Sequence, residues 1–520
     1  MPLLHTKTIR QLLVEAHTEF GDRPFLISDQ SSATISYSDV LRFAIGLEKQ
    51  FDEVGVAVGT SVATLFHNCG LNALLFLAVI ASRRVFVPLN PLSTKNEVEY
   101  MLNRAECAAV IGDPSHVSSS GYGNRRTILV PDRREYVERI SAKGEQVHFR
   151  ETGPSHSSAF TGEIVFTSGS TGHPKGVRLS DQNLLQEAEA IASVYGFSGA
   201  DRFLTVCPLF HVSGQLFTTL ACVIAGGSTI AVPSDTGVTR FWHYVDRYRA
   251  TWSALIAPFL ALLLAQNTGP SDPGAMRGIV TGGSAIDGPM VARFEARFGV
   301  PIRTAYALTE TTSICTCEYL DPSPRSLGSS GRPLSICQVR VDSRSPHVET
   351  TGDNPGYGEI FISGGNVFDS YIGDPGLTER RKQSGWLRTG DVGYLDENGN
   401  LFVVDRIDSM IIAGGENVYP AELENLCTYL PGAAQIVLAG VDHPLWGKEL
   451  ILVYKAQGGE TPSIGVWRRI LAEQVTAYKL PHRYVSIQNL GLNEFPKTPV
   501  GKLDRRALAA LLSAASPPQR

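Results

Sequence analysis

Short apolar runs of strand length alternate with segments of helical periodicity over most of the chain. Residues 61–66 and 108–111 are strand candidates, whereas residues 183–195 repeat apolar side chains every three or four positions, on one face of a helix. This alternation predicts an α/β architecture with largely parallel sheets. In such folds ligands bind beyond the carboxyl ends of the strands, so we expect functional residues in the loops that follow strands.

The pattern changes near residue 356. Residues 358–363 and 400–405 are short strand candidates next to glycines, which is typical of a small antiparallel unit. The rest of the chain predicts a compact β/α region with strands at 434–439, 449–454 and 483–487 and helices at 464–475 and 504–514. We therefore predict two domains, residues 1–405 and residues 406–520.

The composition is that of an ordinary globular protein of 520 residues, with 43% apolar residues, 19% charged residues and a net charge of −5. This charge gives no reason to expect binding to nucleic acid or to an anionic membrane surface. The eight cysteines are scattered, which favours a reducing compartment. No signal peptide or membrane span is predicted, so we expect a soluble cytoplasmic protein. The residues leave the choice between a monomer and a homodimer open.

Residues 167–177, Thr-Ser-Gly-Ser-Thr-Gly-His-Pro-Lys-Gly-Val, are rich in glycine and hydroxyl groups. A strand candidate precedes them, and Ser180 and Asp181 can cap a helix after them, which predicts a strand–loop–helix unit. Glycines let backbone N–H groups approach a phosphate closely. The Walker pattern is absent, because its lysine follows glycine and precedes serine or threonine. Taken alone, the segment predicts either a phosphate loop of another kind or a plain flexible loop.

Five further motifs follow this segment along the chain. They are Pro-Leu-Phe-His-Val-Ser-Gly at 208–214, Thr-Ala-Tyr-Ala-Leu-Thr-Glu at 304–310, Gly-Trp-Leu-Arg-Thr-Gly-Asp at 385–391, the segment 405–420, and Pro-Lys-Thr-Pro-Val-Gly-Lys at 496–502. In this order the six motifs resemble those of the adenylate-forming superfamily, which includes acyl-CoA synthetases, peptide-synthetase adenylation domains and firefly-type luciferases. The resemblance implies a large N-terminal domain, with two α/β sheet subdomains and a small β-rich subdomain, and a small mobile α+β C-terminal lid.

In that superfamily a carboxylate attacks the α-phosphate of ATP, which gives an acyl-adenylate and pyrophosphate, and a thiol then displaces AMP. A carboxylate is already ionised at neutral pH, since its reference pKa is about 4, so the first step requires no general base. Catalysis then consists of positioning the reactants and stabilising phosphoryl charge. The resemblance thus implies an AMP-forming acid–thiol ligase that uses ATP, Mg²⁺ and CoA.

The resemblance also implies roles for single residues. Glu310 is expected to bind Mg²⁺ as a hard oxygen ligand, and Thr309 to reach the α-phosphate. Asp391 is expected to accept hydrogen bonds from the ribose hydroxyls, with Arg406 close to ribose and phosphate. Lys502 is expected to bring positive charge to the α-phosphate. The other nucleotide-binding and CoA-binding candidates are Thr167, Ser168, Gly169, Ser170, Thr171, Gly172, Lys175, Thr304, Ala305, Tyr306, Gly414 and Gly415.

Members of the superfamily rotate the small domain between the two half-reactions. Lys502 belongs to the predicted C-terminal domain, so it can enter for adenylation and leave for thioester formation. Asp408 matches the hinge position, where a change at one or two backbone positions moves a domain. The second orientation is expected to present Gly414 and Gly415, which leave room for a pantetheine tunnel.

His211, a further catalytic candidate, stands where domains that activate α-amino acids usually carry an aspartate for the substrate ammonium. The sequence therefore favours a fatty, branched or aryl acid. The candidate pocket residues are mostly small or apolar, which suits a hydrocarbon or aromatic tail: Val212, Ala257, Gly282, Gly283, Ser284 and Ala307. No carrier domain follows the final predicted helix, so CoA is the favoured acceptor, and transfer to a carrier protein or to an amine is the alternative. A luciferase-like oxygenase and a non-catalytic nucleotide sensor are less favoured.

Overall fold

The computed structural model describes residues 7–28, 34–117, 122–144, 149, 160–167, 174–282, 288–320, 325–343, 356–413, 416–427, 430–443, 447–458, 462–497 and 503–515. The chain forms two compact units. The first unit comprises Met1–Val339 and Ile362–Leu387, and the second comprises Arg340–Phe361 and Arg388–Arg520. The domain boundary predicted at residue 405 stays a prediction.

Strands and helices alternate through most of the chain. The strands are β1 (Pro24–Ser28), β2 (Thr34–Ser36), β3 (Ser61–Leu65), β4 (Val85–Leu89), β5 (Cys107–Gly112), β6 (Arg126–Leu129), β7 (Thr161–Thr167), β8 (Lys175–Ser180), β9 (Arg202–Thr205), β10 (Ser228–Ala231), β11 (Trp252–Leu255), β12 (Gly278–Thr281), β13 (Ile302–Ala307), β14 (Ile314–Cys317), β15 (Arg332–Pro333), β16 (Cys337–Asp342), β17 (Gly358–Gly364), β18 (Ser370–Tyr371), β19 (Lys382–Gln383), β20 (Trp386–Leu395), β21 (Leu401–Arg406), β22 (Ile411–Ala413), β23 (Glu416–Val418), β24 (Ala433–His443), β25 (Gly447–Ala456) and β26 (Arg483–Ser486). The α-helices are α1 (Ile9–Phe20), α2 (Tyr37–Glu53), α3 (Gly70–Ala81), α4 (Lys95–Arg104), α5 (Arg133–Lys143), α6 (Asp181–Val194), α7 (Val212–Gln215), α8 (Ala221–Ala225), α9 (Ser234–Gly237), α10 (Phe241–Tyr248), α11 (Ala257–Ala265), α12 (Gly288–Phe298), α13 (Pro375–Arg381), α14 (Pro420–Cys427), α15 (Ile464–Ala472) and α16 (Arg505–Ala515).

The first unit contains a nine-stranded sheet in the order β15-β14-β13-β12-β11-β9-β10-β1-β2. The strands from β13 to β1 in this order run parallel, and antiparallel strands stand at both edges. A core of buried residues such as Ile279, Trp242 and Phe294 joins the sheet to helices α10, α11 and α12. Because β12 and β13 are parallel, their carboxyl ends meet at one edge of the sheet, where Gly282 and the motif ending at Glu310 follow.

A seven-stranded sheet in the order β18-β8-β7-β4-β3-β5-β6 forms the other part of the first unit. Its central strands are parallel, and β7, β8 and β18 are joined by antiparallel pairing. Ile164 and Phe166 of β7 pack into the same core as Val98 and Leu102 of α4. The sequence of α3 is apolar around its whole circumference, and all twelve of its residues are buried.

The second unit is richer in strands. Its β20 and β21 are antiparallel, as are β22 and β23. A three-stranded sheet pairs β24 with β25 in antiparallel and β25 with β26 in parallel orientation. Alternating residues of this sheet enter two separate cores, so that Leu450 and Leu452 pack on one face and Ile451 and Val453 on the other.

The predicted α/β class with largely parallel sheets is confirmed, and so are the strand before the loop and the helix capped by Ser180 after it, but the predicted direct connection from loop to helix is wrong. The loop joins β7 to an antiparallel strand, β8, and helix α6 begins only after that strand. The reason is a period-two pattern in β8, where Val177 and Leu179 are buried and Arg178 is exposed.

Candidate active site

The predicted phosphate loop is the tip of the β7–β8 hairpin. Thr167 is paired with Lys175, Phe166 with Gly176 and Val165 with Val177, so ladder pairing fixes both ends of the loop. The other five predicted loop residues lie outside the described part of the chain: Ser168, Gly169, Ser170, Thr171 and Gly172.

Helix α6 connects this hairpin to a second segment of the site. Ser180 caps the helix by accepting a hydrogen bond from the backbone N–H of Asn183, as the sequence predicted. The Asn183 side chain in turn donates to the backbone oxygens of Gly365, at 2.7 Å, and Val367, at 3.2 Å. These bonds hold residues 365–367 against the amino end of α6.

Strand β13 carries three of the predicted nucleotide-binding residues. The Thr304 N–H donates to Oε2 of Glu318 at 2.9 Å, and its hydroxyl donates to the Ser329 carbonyl oxygen at 2.6 Å. The next two residues, Ala305 and Tyr306, are buried. A Cβ placed on Gly282 would lie 2.6 Å from the carbonyl oxygen of Ala305, so only glycine fits this crossing of two backbones.

Glu310 lies on a single 3-10 turn, Thr309–Thr311, directly after β13. Its Oε1 accepts a hydrogen bond of 2.7 Å from the hydroxyl of Tyr371, and its carbonyl oxygen accepts one from Phe368 N at 2.9 Å. The turn ends at Thr312, which has a positive φ of 63° and donates its hydroxyl to Asn366 O at 2.7 Å. A threonine with positive φ is strained, so this bond helps to fix the backbone that presents Glu310.

The segment with the predicted acid-pocket residues lies close to this turn. His211 directly precedes the short helix α7, its side chain is exposed, and its ring lies 4.5 Å from that of Phe210. Val212 is buried. The hydroxyl of Ser313 donates to that of Ser213 at 3.3 Å, which connects the two segments.

Two further pocket candidates are partly exposed: Ala257 begins α11, and Ala307 ends β13. Gly283 and Ser284 lie outside the described residues.

Asp391 and Arg406 form a pair in the second unit. They are register partners on β20 and β21, and Nη1 of Arg406 lies 3.4 Å from Oδ1 of Asp391. The hydroxyl of Thr389 accepts the Asp391 N–H at 3.0 Å, which fixes the backbone at this point. Asp391 is 4% exposed, so its carboxylate is held in a defined position beside a partly exposed guanidinium.

The structure describes four of the predicted residues of the second unit only in part or not at all. Asp408 lies on the 3-10 turn Ile407–Ser409, but its side chain is outside the described part of the structure, as are Gly414, Gly415 and Lys502 entirely.

Two residues that lie near the predicted site were not identified from the sequence. One is Tyr371, the hydrogen-bond donor to Glu310. The other is Asp405, whose carboxylate accepts the backbone N–H groups of Ala421 and Arg406, each at 2.7 Å. Burial raises the pKa of Asp405 to about 6, against the opposing effects of these two hydrogen bonds and of Arg505. Asp405 thus ties the amino end of α14 to the strand that carries Arg406.

Comparison with known proteins places this arrangement in a family. The AMP-binding enzyme family matches residues 13–372, which is more than half of the chain. The chain belongs to this family. It is 27% identical to the sulfoacetate–CoA ligase of Cupriavidus necator, over 96% of this chain and 97% of the relative. It is 32% identical to the 2-succinylbenzoate–CoA ligase of Bacillus subtilis, over 88% and 90% of the two chains.

A solved structure resembles the whole chain of this AMP-binding enzyme. It is o-succinylbenzoate coenzyme A synthetase from Bacillus subtilis in complex with ATP and magnesium ion, with a TM-score of 0.82, 26% identity and coverage of 96% of this chain and 98% of that one. The matches confirm the predicted superfamily, its organisation into a large N-terminal and a small C-terminal domain, and the predicted acid–thiol ligase class. Within the described residues, no helix combines the length and apolar character needed to cross a membrane.

Proposed function

We propose that this AMP-binding enzyme activates a carboxylic acid with ATP and transfers the acyl group to CoA. The carboxylate of the acid attacks the α-phosphorus, pyrophosphate leaves, and the thiol of CoA then displaces AMP. The relatives named as CoA ligases, which match this chain over nearly their full length, support this reaction. The observation that carries the proposal is Glu310, a carboxylate at the carboxyl end of a parallel strand that is fixed by Tyr371.

The environment of Glu310 fits a magnesium ligand. Tyr371 occupies one carboxylate oxygen, and Oε2 has no donor among the described residues. A carboxylate oxygen is a ligand that Mg²⁺ prefers, and a bound Mg²⁺ neutralises charge on the phosphates of its nucleotide. Thr309, one residue before, offers a hydroxyl to the same nucleotide. We assign the N–H groups and hydroxyls of residues 167–175 to the β- and γ-phosphates.

The ribose is assigned to Asp391. Its carboxylate can accept hydrogen bonds from two neighbouring hydroxyls, and Nη1 of the Arg406 guanidinium lies 3.4 Å from its Oδ1. Lys502 supplies charge to the α-phosphate, and rotation about Asp408 replaces it with Gly414 and Gly415 for the thiol step. Thr304, Ala305 and Tyr306 support the nucleotide from β13.

The acid is assigned to the surface near Val212, Ala257, Gly282 and Ala307. None of these residues carries a charge that could pair with a substrate ammonium. His211 stands where domains that activate α-amino acids usually carry an aspartate, which favours a fatty, branched or aryl acid over an amino acid. The relatives act on acids as different as sulfoacetate and 2-succinylbenzoate. The proposal therefore remains at the level of the acid class.

A panel of fatty, branched and aryl acids tests the proposal. Acid-dependent release of pyrophosphate is measured with and without CoA, together with AMP and the thioester. We expect at least one acid to release pyrophosphate in a Mg²⁺-dependent manner and to give a CoA thioester. Pyrophosphate release without a thioester would instead favour a carrier protein or an amine as acceptor, and no release with any acid would refute acid activation.

A pair of variants connects the activity to the site. Glu310→Gln should reduce pyrophosphate release by orders of magnitude, because an amide is a much weaker ligand for Mg²⁺ than a carboxylate. Glu379→Gln is the matched control, since Glu379 is an exposed acid on α13 with no assigned role. Equal activity of the two variants would contradict the role of Glu310.

A further inference from the structure

Residues 365–372, which we call the bridging segment, run along the strand that returns from the predicted phosphate loop. The Ile372 N–H donates to the carbonyl oxygen of Gly176 at 2.9 Å, and the Asp369 N–H donates to that of Arg178 at 3.0 Å. Both acceptors belong to β8, which begins where the predicted phosphate loop ends. The bridging segment is therefore bonded to the backbone within a few residues of that loop.

The other side of the bridging segment holds the turn that carries Glu310. The Thr312 hydroxyl donates to the carbonyl oxygen of Asn366 at 2.7 Å, and the Phe368 N–H donates to that of Glu310 at 2.9 Å. The Tyr371 hydroxyl donates to the Glu310 carboxylate at 2.7 Å. These three bonds fix both the backbone and the carboxylate of Glu310. The position of the predicted magnesium ligand relative to β8 thus depends on the bridging segment.

The side chain of Asn183 ties the start of the bridging segment to the end of β8. Its Nδ2 donates to the carbonyl oxygens of Gly365, at 2.7 Å, and Val367, at 3.2 Å. Its Oδ1 accepts from the backbone N–H of Ser180, at 2.9 Å, and from the Ser180 hydroxyl, at 2.7 Å. An amide side chain has two donor hydrogens and two acceptor lone pairs, so this nearly buried group uses its whole bonding capacity.

The four bonds of Asn183 require an amide at this position. The two carbonyl oxygens of the bridging segment only accept, whereas the backbone N–H of Ser180 only donates. An aspartate has the same shape but no donor when ionised, and a serine hydroxyl offers a single hydrogen. Capping of helix α6 uses the backbone N–H and Oδ1 of Asn183, so the two bonds from Nδ2 have a purpose beyond the cap.

We propose that Asn183 is a positioning residue for the step that requires magnesium. It fixes the bridging segment to the end of β8 and thereby sets the distance between the predicted phosphate loop and Glu310. The inference rests on the proposed function, since that function assigns the phosphates to the loop and Mg²⁺ to Glu310. It adds a coupling between the two sites, which one side chain outside both of them maintains.

Asn183→Asp separates this role from helix capping. The variant keeps Oδ1 for Ser180 but places an oxygen opposite the two carbonyl oxygens of the bridging segment. We expect the Mg²⁺ concentration for half-maximal pyrophosphate release to rise roughly tenfold, as for outer-shell partners of metal ligands, with KM for the acid changed by less than about twofold. Asn183→Ala tests the same role without a buried charge and should act in the same direction. An unchanged Mg²⁺ requirement in both variants would overturn the proposal.

Gln11 offers matched controls on helix α1. It forms the same capping box with Thr8 as Asn183 forms with Ser180 on helix α6. Within the described part of the chain, its side-chain hydrogen bonds join it only to Thr8. Gln11→Glu and Gln11→Ala repeat the two changes at the same helix position, and we expect the Mg²⁺ requirement to stay at the wild-type value. A rise as large as in the Asn183 variants would overturn the proposal.

A double variant tests whether Asn183 acts through the bridging segment. Tyr371→Phe removes a bond at the far end of that segment, so its effect should overlap with the effect of Asn183→Asp. We expect the Mg²⁺ requirement of the double variant to be close to that of the more affected single variant, because changes within one network are not additive. A requirement equal to the product of the two single effects would mean independent actions and would overturn the proposal.

A measurement without substrate separates this inference from the proposed function. Hydrogen exchange of the Phe368 N–H, which donates to Glu310, should be faster in Asn183→Asp than in the wild type and unchanged in Gln11→Glu. Equal exchange in the wild type and Asn183→Asp would show that Asn183 does not fix the segment and would overturn the proposal. If the wild type activates no acid, the proposed function fails, while the exchange rates still decide whether Asn183 holds the turn of Glu310.

Discussion

The hydroxyl of Tyr371 donates a hydrogen bond of 2.7 Å to Oε1 of Glu310. The two residues are 61 positions apart in the sequence, and both belong to the first unit. Tyr371 is buried, and its own N–H donates to the hydroxyl of Thr378 at 3.0 Å, so the phenol is held on a fixed backbone. The bond orients the carboxylate that we assign to Mg²⁺.

Tyr371→Phe removes the hydroxyl that donates this hydrogen bond and keeps the aromatic ring. We expect the concentration of Mg²⁺ required for half-maximal pyrophosphate release to rise several-fold, because the carboxylate loses its orientation, as with outer-shell partners of metal ligands. Tyr136→Phe is the control, since its hydroxyl donates to Gln50 in a buried helix pair of the same unit. A change in Mg²⁺ dependence of the same size in the control would contradict the assignment.

Asp391→Asn tests the ribose site. Asparagine replaces one of the two accepting oxygens with a donor NH₂ group and loses the charge beside Arg406, so we expect KM for ATP to rise about tenfold or more. Glu359→Gln breaks another charged pair of the same unit, in which Nη2 of Arg388 lies 2.8 Å from Oε2 of Glu359. We expect that variant to lower the melting temperature without changing KM for ATP.

The pH dependence of stability reports on Asp405. Its folded pKa of about 6 lies above its usual value of 3.8, so the folded protein binds this proton more tightly than the unfolded chain. Relative to Asp405→Asn, the free energy of unfolding of the wild type should therefore fall as the pH rises from about 4 to about 6, by up to about 3 kcal/mol. Urea titrations across this range measure the difference, and parallel curves for the two proteins would exclude a raised pKa.

Gly282→Ala tests the close backbone crossing beside β13. The added methyl would meet the Ala305 carbonyl oxygen at 2.6 Å, so the backbone must shift, and we expect a loss of about 1–3 kcal/mol in stability together with a higher KM for ATP. Gly465→Ala, in helix α15, is the matched control, because its new methyl meets no atom within 4 Å. That control should stabilise the protein by up to about 1 kcal/mol.

The proposed exchange of Lys502 between the two half-reactions predicts opposite effects for two variants. Lys502→Ala should reduce acyl-adenylate formation by orders of magnitude without unfolding the protein. Asp408→Pro should preserve acyl-adenylate formation and suppress the thioester, because it restricts the proposed hinge. Separate assays of pyrophosphate exchange and thioester formation distinguish these outcomes, and equal loss of both activities in Asp408→Pro would exclude the hinge role.

The features that depend on short stretches of sequence could be predicted. Parallel strands such as β3 and β12 are apolar runs bounded by polar or glycine residues, and α6 carries a regular apolar face and a serine cap. The Thr304–Glu310 motif could be placed after a strand for the same reason. Strand β8 was missed because it has only six residues, so its alternation of buried and exposed side chains is short. It also follows directly after a loop that is rich in glycine and hydroxyl groups.

The features that depend on tertiary contacts could not be predicted. The Tyr371–Glu310 bond joins distant positions, and nothing in the neighbourhood of Tyr371 marks it as a partner of Glu310. Asp405 binds the N–H of Ala421 across the β22–β23 hairpin, so its capping role has no local pattern. The buried position of Glu163 in β7 is likewise unexpected, since a charged residue in a strand usually faces water.

The two cores on opposite faces of the β24–β25–β26 sheet have a consequence for how the enzyme can be altered. A layer with apolar packing on both sides does not depend on an outside partner to cover either face. Within the described residues, side chains of the second unit itself cover both faces, so substitutions that keep these two cores apolar should leave this layer intact.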